Sequence, residues 1–235
     1  MRFRFLLIAL SMCIAPLLKG QIGNEFWLAP PDIANSHANN GLPVVLQVTA
    51  MHNTTVTISK PADPSFTPIV FNLAPQQSRR TVLATNDAQV ALIETYAKPP
   101  ADANYIQQNG LLITSSPGEI TAYYEMEANT NSDIISLKGA NSLGIDFWVS
   151  TQRKFPTREG ATKSDRQNGF AVVASKDGTV VSVDPRGNDL EHHGTAPFTV
   201  TLNAGETFAA VANSTDGFLA ENHIHGIKVT TQDSD

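Results

Sequence analysis

His223-Ile224-His225 sets two imidazoles at i and i+2, one face of a strand, a spacing that can supply two ligands to a zinc- or copper-type ion. A third ligand would have to come from Asp189, Glu191, His192 or His193. A solvated pair is the simpler account, so a metal at His223 and His225 stays an open assignment. Glu119, Glu125 and Glu127 share odd spacing, which places three carboxylates on one face of a strand. Acid–base catalysis on a glycan or peptide would need such groups held as a placed pair, or a nucleophile beside a base. No Gly-x-Ser-x-Gly elbow, His-Glu-x-x-His or phosphate loop occurs. The chain therefore reads as a non-enzyme, and no cofactor is implied.

The residues best suited to recognition are aromatic and basic. Phe26-Trp27 and Phe147-Trp148 contain both tryptophans of the chain. A Trp face can lie on the apolar face of a sugar ring, so Trp27 and Trp148 are candidate binding residues. The competing reading is a core anchor in each half, and alternation along a strand would bury one member of each pair and expose the other. Residues 150–168 carry Arg153, Lys154, Arg158, Lys163 and Arg166, a basic loop suited to an acidic glycan or protein. Residues 98–109 form a second long polar loop. Asn53-Thr54-Thr55 and Asn213-Ser214-Thr215 fit the N-glycosylation pattern, though Asn is also simply a good turn residue.

These residues need a scaffold, and composition limits which one. The N-terminus has Arg2 and Arg4, then an apolar run over 5–18, then Gly20 before Gln21, which reads as a secretory signal over 1–20. The run falls short of the roughly 20 residues that span a bilayer. Met12 is too bulky before Cys13 for a lipidated cysteine. Cleavage removes Arg2, Arg4 and Lys19, taking Lys+Arg from 16 to 13 against 22 acids, so formal net charge moves from −6 to −9. An acidic chain with no basic stripe along it is a poor nucleic-acid partner, and after cleavage no membrane span remains. The single cysteine leaves with the signal, so the expected fold is held by its hydrophobic core, without disulfides.

The mature chain repeats itself. The stretch 23–28 returns at 144–149, 50–56 at 174–180, 68–73 at 197–202, and 110–115 at 225–230, in the same order. Short runs rich in β-branched residues alternate with Gly, Pro and Asn, and no window after 20 has sustained helical periodicity. Residues 44–49 and 55–58 flank a polar turn and read as a hairpin, as do 170–174 and 179–183 around Asp177-Gly178. Further strands are expected at 69–73, 81–84, 90–95, 111–114 and 120–126, then at 198–202, 207–211 and 227–230. The fold class is all-β: two tandem, internally duplicated antiparallel β-sandwich units at 21–138 and 139–235. The first unit ends in a strong strand at 120–126 that the second lacks, so the second is expected to be incomplete, the front of a larger protein.

The landmarks at 23–28, 136–144, 172–181 and 202–208 carry a resemblance. The chain resembles the N-terminal region of the IgG Fc-binding protein family over nearly all its mature length. That region occurs in animal mucus proteins and in large exported bacterial proteins. The resemblance implies a secreted or cell-surface recognition or adhesion part that takes a glycan, glycoprotein or protein ligand through loops. It brings no set of functional residues, and a plain structural spacer in a long surface protein is the alternative. Neither the ligand's identity nor the oligomeric state follows from these residues.

Overall fold

The computed structural model describes residues 21–31, 43–85, 89, 92–95, 105–126, 132–150, 168–213 and 226–232. The signal segment, Arg153, Lys154, Arg158, Lys163, Arg166, His223, His225 and Glu127 lie outside the described residues. The described chain is all-β, in four antiparallel sheets.

The first sheet has the order β1(Glu25–Leu28), β6(Leu111–Ser116), β3(Thr54–Ser59), β4(Ile69–Leu73). It faces a second sheet of order β5(Ser78–Ala84), β2(Val44–Ala50), β7(Ile120–Met126), β8(Asp133–Ser136). Alternation decides what lies between them: β3 buries Thr54, Val56 and Ile58, and β7 buries Ile120, Ala122 and Tyr124. Phe26, Leu46, Val48, Ile58 and Ile113 are fully buried in this core. Each such side chain is worth about 1.5–3 kcal/mol relative to exposure.

The second half repeats the plan. Its larger sheet runs β9(Asp146–Trp148), β14(Lys228–Gln232), β11(Thr179–Asp184), β12(Phe198–Leu202). Strand for strand this is the order of the first sheet, with β9 for β1, β14 for β6, β11 for β3 and β12 for β4. Facing it are two strands, β10(Gly169–Val173) and β13(Thr207–Val211), which stand for β2 and β5. Val181, Val183, Leu202, Phe208, Ile227 and Val229 make a separate core. Among the described residues nothing stands for β7 or β8.

Three local expectations need correction. The stretches 44–49 and 55–58 are not a hairpin: β2 pairs with β5 and β7, whereas β3 pairs with β4 and β6. The stretches 170–174 and 179–183 likewise fall in different sheets. Each pair of strands presents apolar residues to one core from opposite sides. The polar turn between them is therefore a corner that crosses the roughly 10 Å between sheets. Gly178 has φ +69 at the second corner, and its amide donates to Asn203 Oδ1 at 3.3 Å. The third correction concerns 90–95: Leu92 and Ile93 lie in a turn, and Thr95 makes only an isolated parallel bridge to Pro31.

The halves touch through main chain. Gln107 and Thr207 exchange two backbone hydrogen bonds of 3.0 and 2.8 Å, and Gly110 N donates to Gly205 O at 3.0 Å. The described end of the 98–109 loop is thus partly buried against the second half instead of projecting freely.

Candidate functional site

In β9, Phe147 lies opposite Val229 and Trp148 opposite Lys228. Val229 is buried, so Phe147 shares the core-facing side and Trp148 the outward one. The same holds in β1, where Phe26 lies opposite buried Ile113 and Trp27 opposite Leu112. Both Phe-Trp pairs are therefore split between faces.

The two tryptophans have different surroundings. Trp27 is half-buried, and its Nε1 donates to Glu25 Oε1 at 2.8 Å, which ties the indole to its own strand. Trp148 is 55% exposed. The Arg186 guanidinium lies 5.1 Å from its ring centroid and the Lys228 ammonium 5.7 Å. Lys228 also bridges to Asp146 at 3.2 Å. Arg186 reaches this position from the turn after β11, where its φ is +54 and its amide donates to Asp184 Oδ1 at 3.0 Å. The outward face thus presents an aromatic plane flanked by two cations, each worth about 0.5–1 kcal/mol against an exposed ring. Such a surface suits a partner with an apolar ring face and negative charge beside it.

Other candidate residues are occupied in ways that sequence spacing does not reveal. The His193 ring stacks on Phe198 at 3.9 Å and meets Phe208 edge-on at 5.6 Å, so it serves core packing. Asp189 Oδ2 accepts from Asn213 Nδ2 at 3.0 Å. Among the described residues no group of three or more His, Cys, Asp or Glu converges on a point. Glu119 and Glu125 sit half-buried on the side of β7 away from Ile120, Ala122 and Tyr124. Asn53 is exposed at the corner between β2 and β3. Among the described residues no helix is long and apolar enough to cross a membrane.

Sequence reasoning missed Lys60. Its side chain is almost fully buried beside the contact between halves, and its Nζ donates to Leu92 O at 2.8 Å, Asp63 Oδ2 at 3.0 Å and Asn109 Oδ1 at 3.1 Å. Asp63 also accepts from the Ser65 hydroxyl and amide. The Ser65 hydroxyl bond, with Lys60 beside it, lowers the Asp63 carboxyl to about 2. A cleft here is lined by Lys60, Asp63, Tyr105, Gln107, Asn109 and Glu206. Asp63 is a local i,i+3 partner, whereas Leu92 and Asn109 lie 32 and 49 positions away, and no local spacing points to them.

Comparison with known proteins gives one match. The family model described as IgGFc binding protein matches residues 135–234, the stretch that holds Trp148, Arg186 and Lys228. No curated protein and no solved structure matched the chain. Residues 135–234 therefore carry the pattern of the IgGFc binding protein family, the family that the repeat landmarks resemble.

Proposed function

We propose that this chain is an exported or cell-surface recognition module that holds a glycoprotein, protein or acidic glycan on its second half. The observation that supports this reading best is the outward Trp148 with Arg186 and Lys228 at its ring, inside the segment that matches a binding-protein family. In this reading the basic loop at 150–168 follows directly from β9 and adds Arg153, Lys154, Arg158, Lys163 and Arg166 to the same contact. Its cations attract the negative partner, and the indole supplies a rigid apolar plane at low entropic cost. The reading has no catalytic step, no metal and no cofactor. The units are 21–138 and 139–235, with a signal removed after residue 20.

The test uses surface plasmon resonance on the full mature chain, with mucin glycoproteins, sulfated and sialylated glycans and immunoglobulin Fc as immobilised probes. Wild type should bind at least one acidic probe. Replacing 150–168 by a Gly/Ser segment, or Trp148→Ala, should remove that binding while the circular dichroism spectrum stays unchanged. A structural spacer would give no binding to any probe and no difference among the variants.

A further inference from the structure

Two nucleophiles flank the Asn109 carboxamide, and the structure treats them differently. The first is the main-chain nitrogen of Gly110. In an Asn-Gly pair this nitrogen can close onto the asparagine Cγ, because glycine brings no Cβ to hinder the approach. Here Gly110 N donates to Gly205 O at 3.0 Å, which holds it against the second half. A Cβ on Gly110 would stand 2.5 Å from that oxygen, so the peptide has little room to turn. Closure through Gly110 is therefore blocked while the halves touch.

The second nucleophile is Lys60. Its side chain is 5% exposed, and its Nζ lies 3.1 Å from Asn109 Oδ1, the atom bonded to Cγ. Strand β3 ends at Ser59 and β6 begins at Leu111, and Ser59 pairs with Leu112. The adjacency of these two strands thus sets Lys60 beside Asn109. The carboxamide is fixed as well: its Nδ2 donates to Glu94 O at 2.6 Å and to Gln107 Oε1 at 2.9 Å, which uses both of its hydrogens. Asp63 Oδ2 stands 3.0 Å from the same Nζ, and the Ser65 hydroxyl and amide hold Asp63 in turn. An amine, a carboxamide and a carboxylate therefore meet at one nearly buried nitrogen, the arrangement that amide exchange between side chains requires.

We infer that Lys60 and Asn109 are the two ends of an intramolecular isopeptide bond, which the chain forms by itself with Asp63 as proton carrier. The Lys60 ammonium passes a proton to the Asp63 carboxylate. The electron pair left on Nζ attacks Asn109 Cγ, the Nζ–Cγ bond forms, and the carbonyl pair moves onto Oδ1. Nδ2 then receives a proton from Nζ, Oδ1 restores the carbonyl, and the Cγ–Nδ2 bond breaks. Ammonia leaves, and it takes up the proton held by Asp63 to depart as ammonium. Nothing is oxidised or reduced, and no co-reactant enters. The carboxyl of Asp63 is lowered to about 2 by the Ser65 hydroxyl bond and by Lys60, which makes it a weak base. The reaction is accordingly slow, and a newly folded chain begins unlinked, with the hydrogen bonds described above. The link ties β3 to the start of β6 across 49 positions of chain. Beyond residue 20 the sequence has no cysteine with which a disulfide could do the same. This bond lies in the first half and is independent of the Trp148 surface.

The experiment takes the full mature chain, newly refolded and after prolonged storage, and measures its intact mass. Tryptic peptides are then sequenced by tandem mass spectrometry. The chain should lose the mass of one ammonia, progressively with time, and yield a branched peptide in which Lys60 is joined to Asn109. Lys60→Arg and Asn109→Ala should keep their full mass. Asp63→Asn should slow the loss about a hundredfold or more, and an unchanged rate would overturn the role of Asp63. Should a variant fail to fold, the branched peptide of the wild type decides alone. Full mass in the stored wild type, with Lys60 and Asn109 in separate peptides, overturns the bond. So does an ammonia loss that persists in Lys60→Arg, which would assign it to ring closure by Gly110 N. Trp148→Ala should form the link as wild type does, whatever the outcome of the binding test.

Discussion

Gly110 N donates to Gly205 O at 3.0 Å, and a Cβ on Gly110 would stand 2.5 Å from that same oxygen and 2.6 Å from Val173 Cγ2. The two halves approach here with no room for a side chain. Gly226, the repeat partner of Gly110, has nothing within 4 Å of its Cβ position and instead adopts φ +83. One repeated glycine thus serves two purposes, close approach in the first half and a left-handed turn in the second.

Gly110→Ala should therefore force the halves apart and destabilise the chain by about 1–3 kcal/mol, the cost of overpacking. Unfolding by urea, followed by tryptophan fluorescence, should split into two steps as the halves lose contact. Gly226→Ala should cost about 1 kcal/mol through backbone strain and leave the shape of the transition unchanged.

Lys60→Ala leaves the Leu92 carbonyl, Asn109 and Asp63 without their shared donor. A loss of about 1–3 kcal/mol in urea unfolding is expected. Lys60→Arg should not restore stability, because a planar fork cannot place one nitrogen among acceptors that converge on a single ammonium.

Asp63 gives a pH dependence with a definite sign. Its folded carboxyl is depressed from 3.8 to about 2, chiefly by the Ser65 hydroxyl bond and by Lys60. A depressed carboxylate stabilises the fold above its unfolded pKa, and that contribution fades as pH falls from about 4 to about 2. The urea midpoint should fall in this window more steeply for wild type than for Asp63→Asn. Equal slopes would remove Asp63 from the account.

The Phe-Trp pairs predict unequal costs for equal substitutions. Phe26→Ala opens a cavity in a closed core and should cost about 3–5 kcal/mol. Phe147→Ala removes a ring that is 36% exposed, so its cost in the same unfolding assay should be clearly smaller. An equal cost would mean that Phe147 is covered in solution.

Trp148→Ala should change stability by no more than about 0.5 kcal/mol, as expected for an exposed side chain. Titration with an acidic glycan that binds should alter tryptophan emission in wild type and in Trp27→Ala, and not in Trp148→Ala. Unchanged emission in wild type at saturation would remove ring stacking from the proposed contact.

Much of the fold was legible because alternation is a local signal. The burial of β3, β7 and β11 at every second residue is written in Thr54-Thr55-Val56-Thr57-Ile58, in Ile120-Thr121-Ala122-Tyr123-Tyr124 and in Thr179-Val180-Val181-Ser182-Val183. The repeated Phe-Trp pair was legible for the same reason, since neighbours on a strand must part to opposite faces. The candidate surface was legible only in Trp148. Arg186 and Lys228 lie 38 and 80 positions further along the chain, and only the pairing of β14 with β9 and the turn after β11 bring them to the ring.

By itself the sequence determined strands, their inward and outward faces and the doubling of the plan, because period and repetition are properties of neighbouring residues. Tertiary structure alone decided which strands pair. It sent β2 and β3 to opposite sheets, brought Gly110 onto Gly205 and drew Leu92 and Asn109 to Lys60. Every strand offers the same main-chain groups to any neighbour, so the choice among neighbours rests on long-range packing that no local pattern encodes.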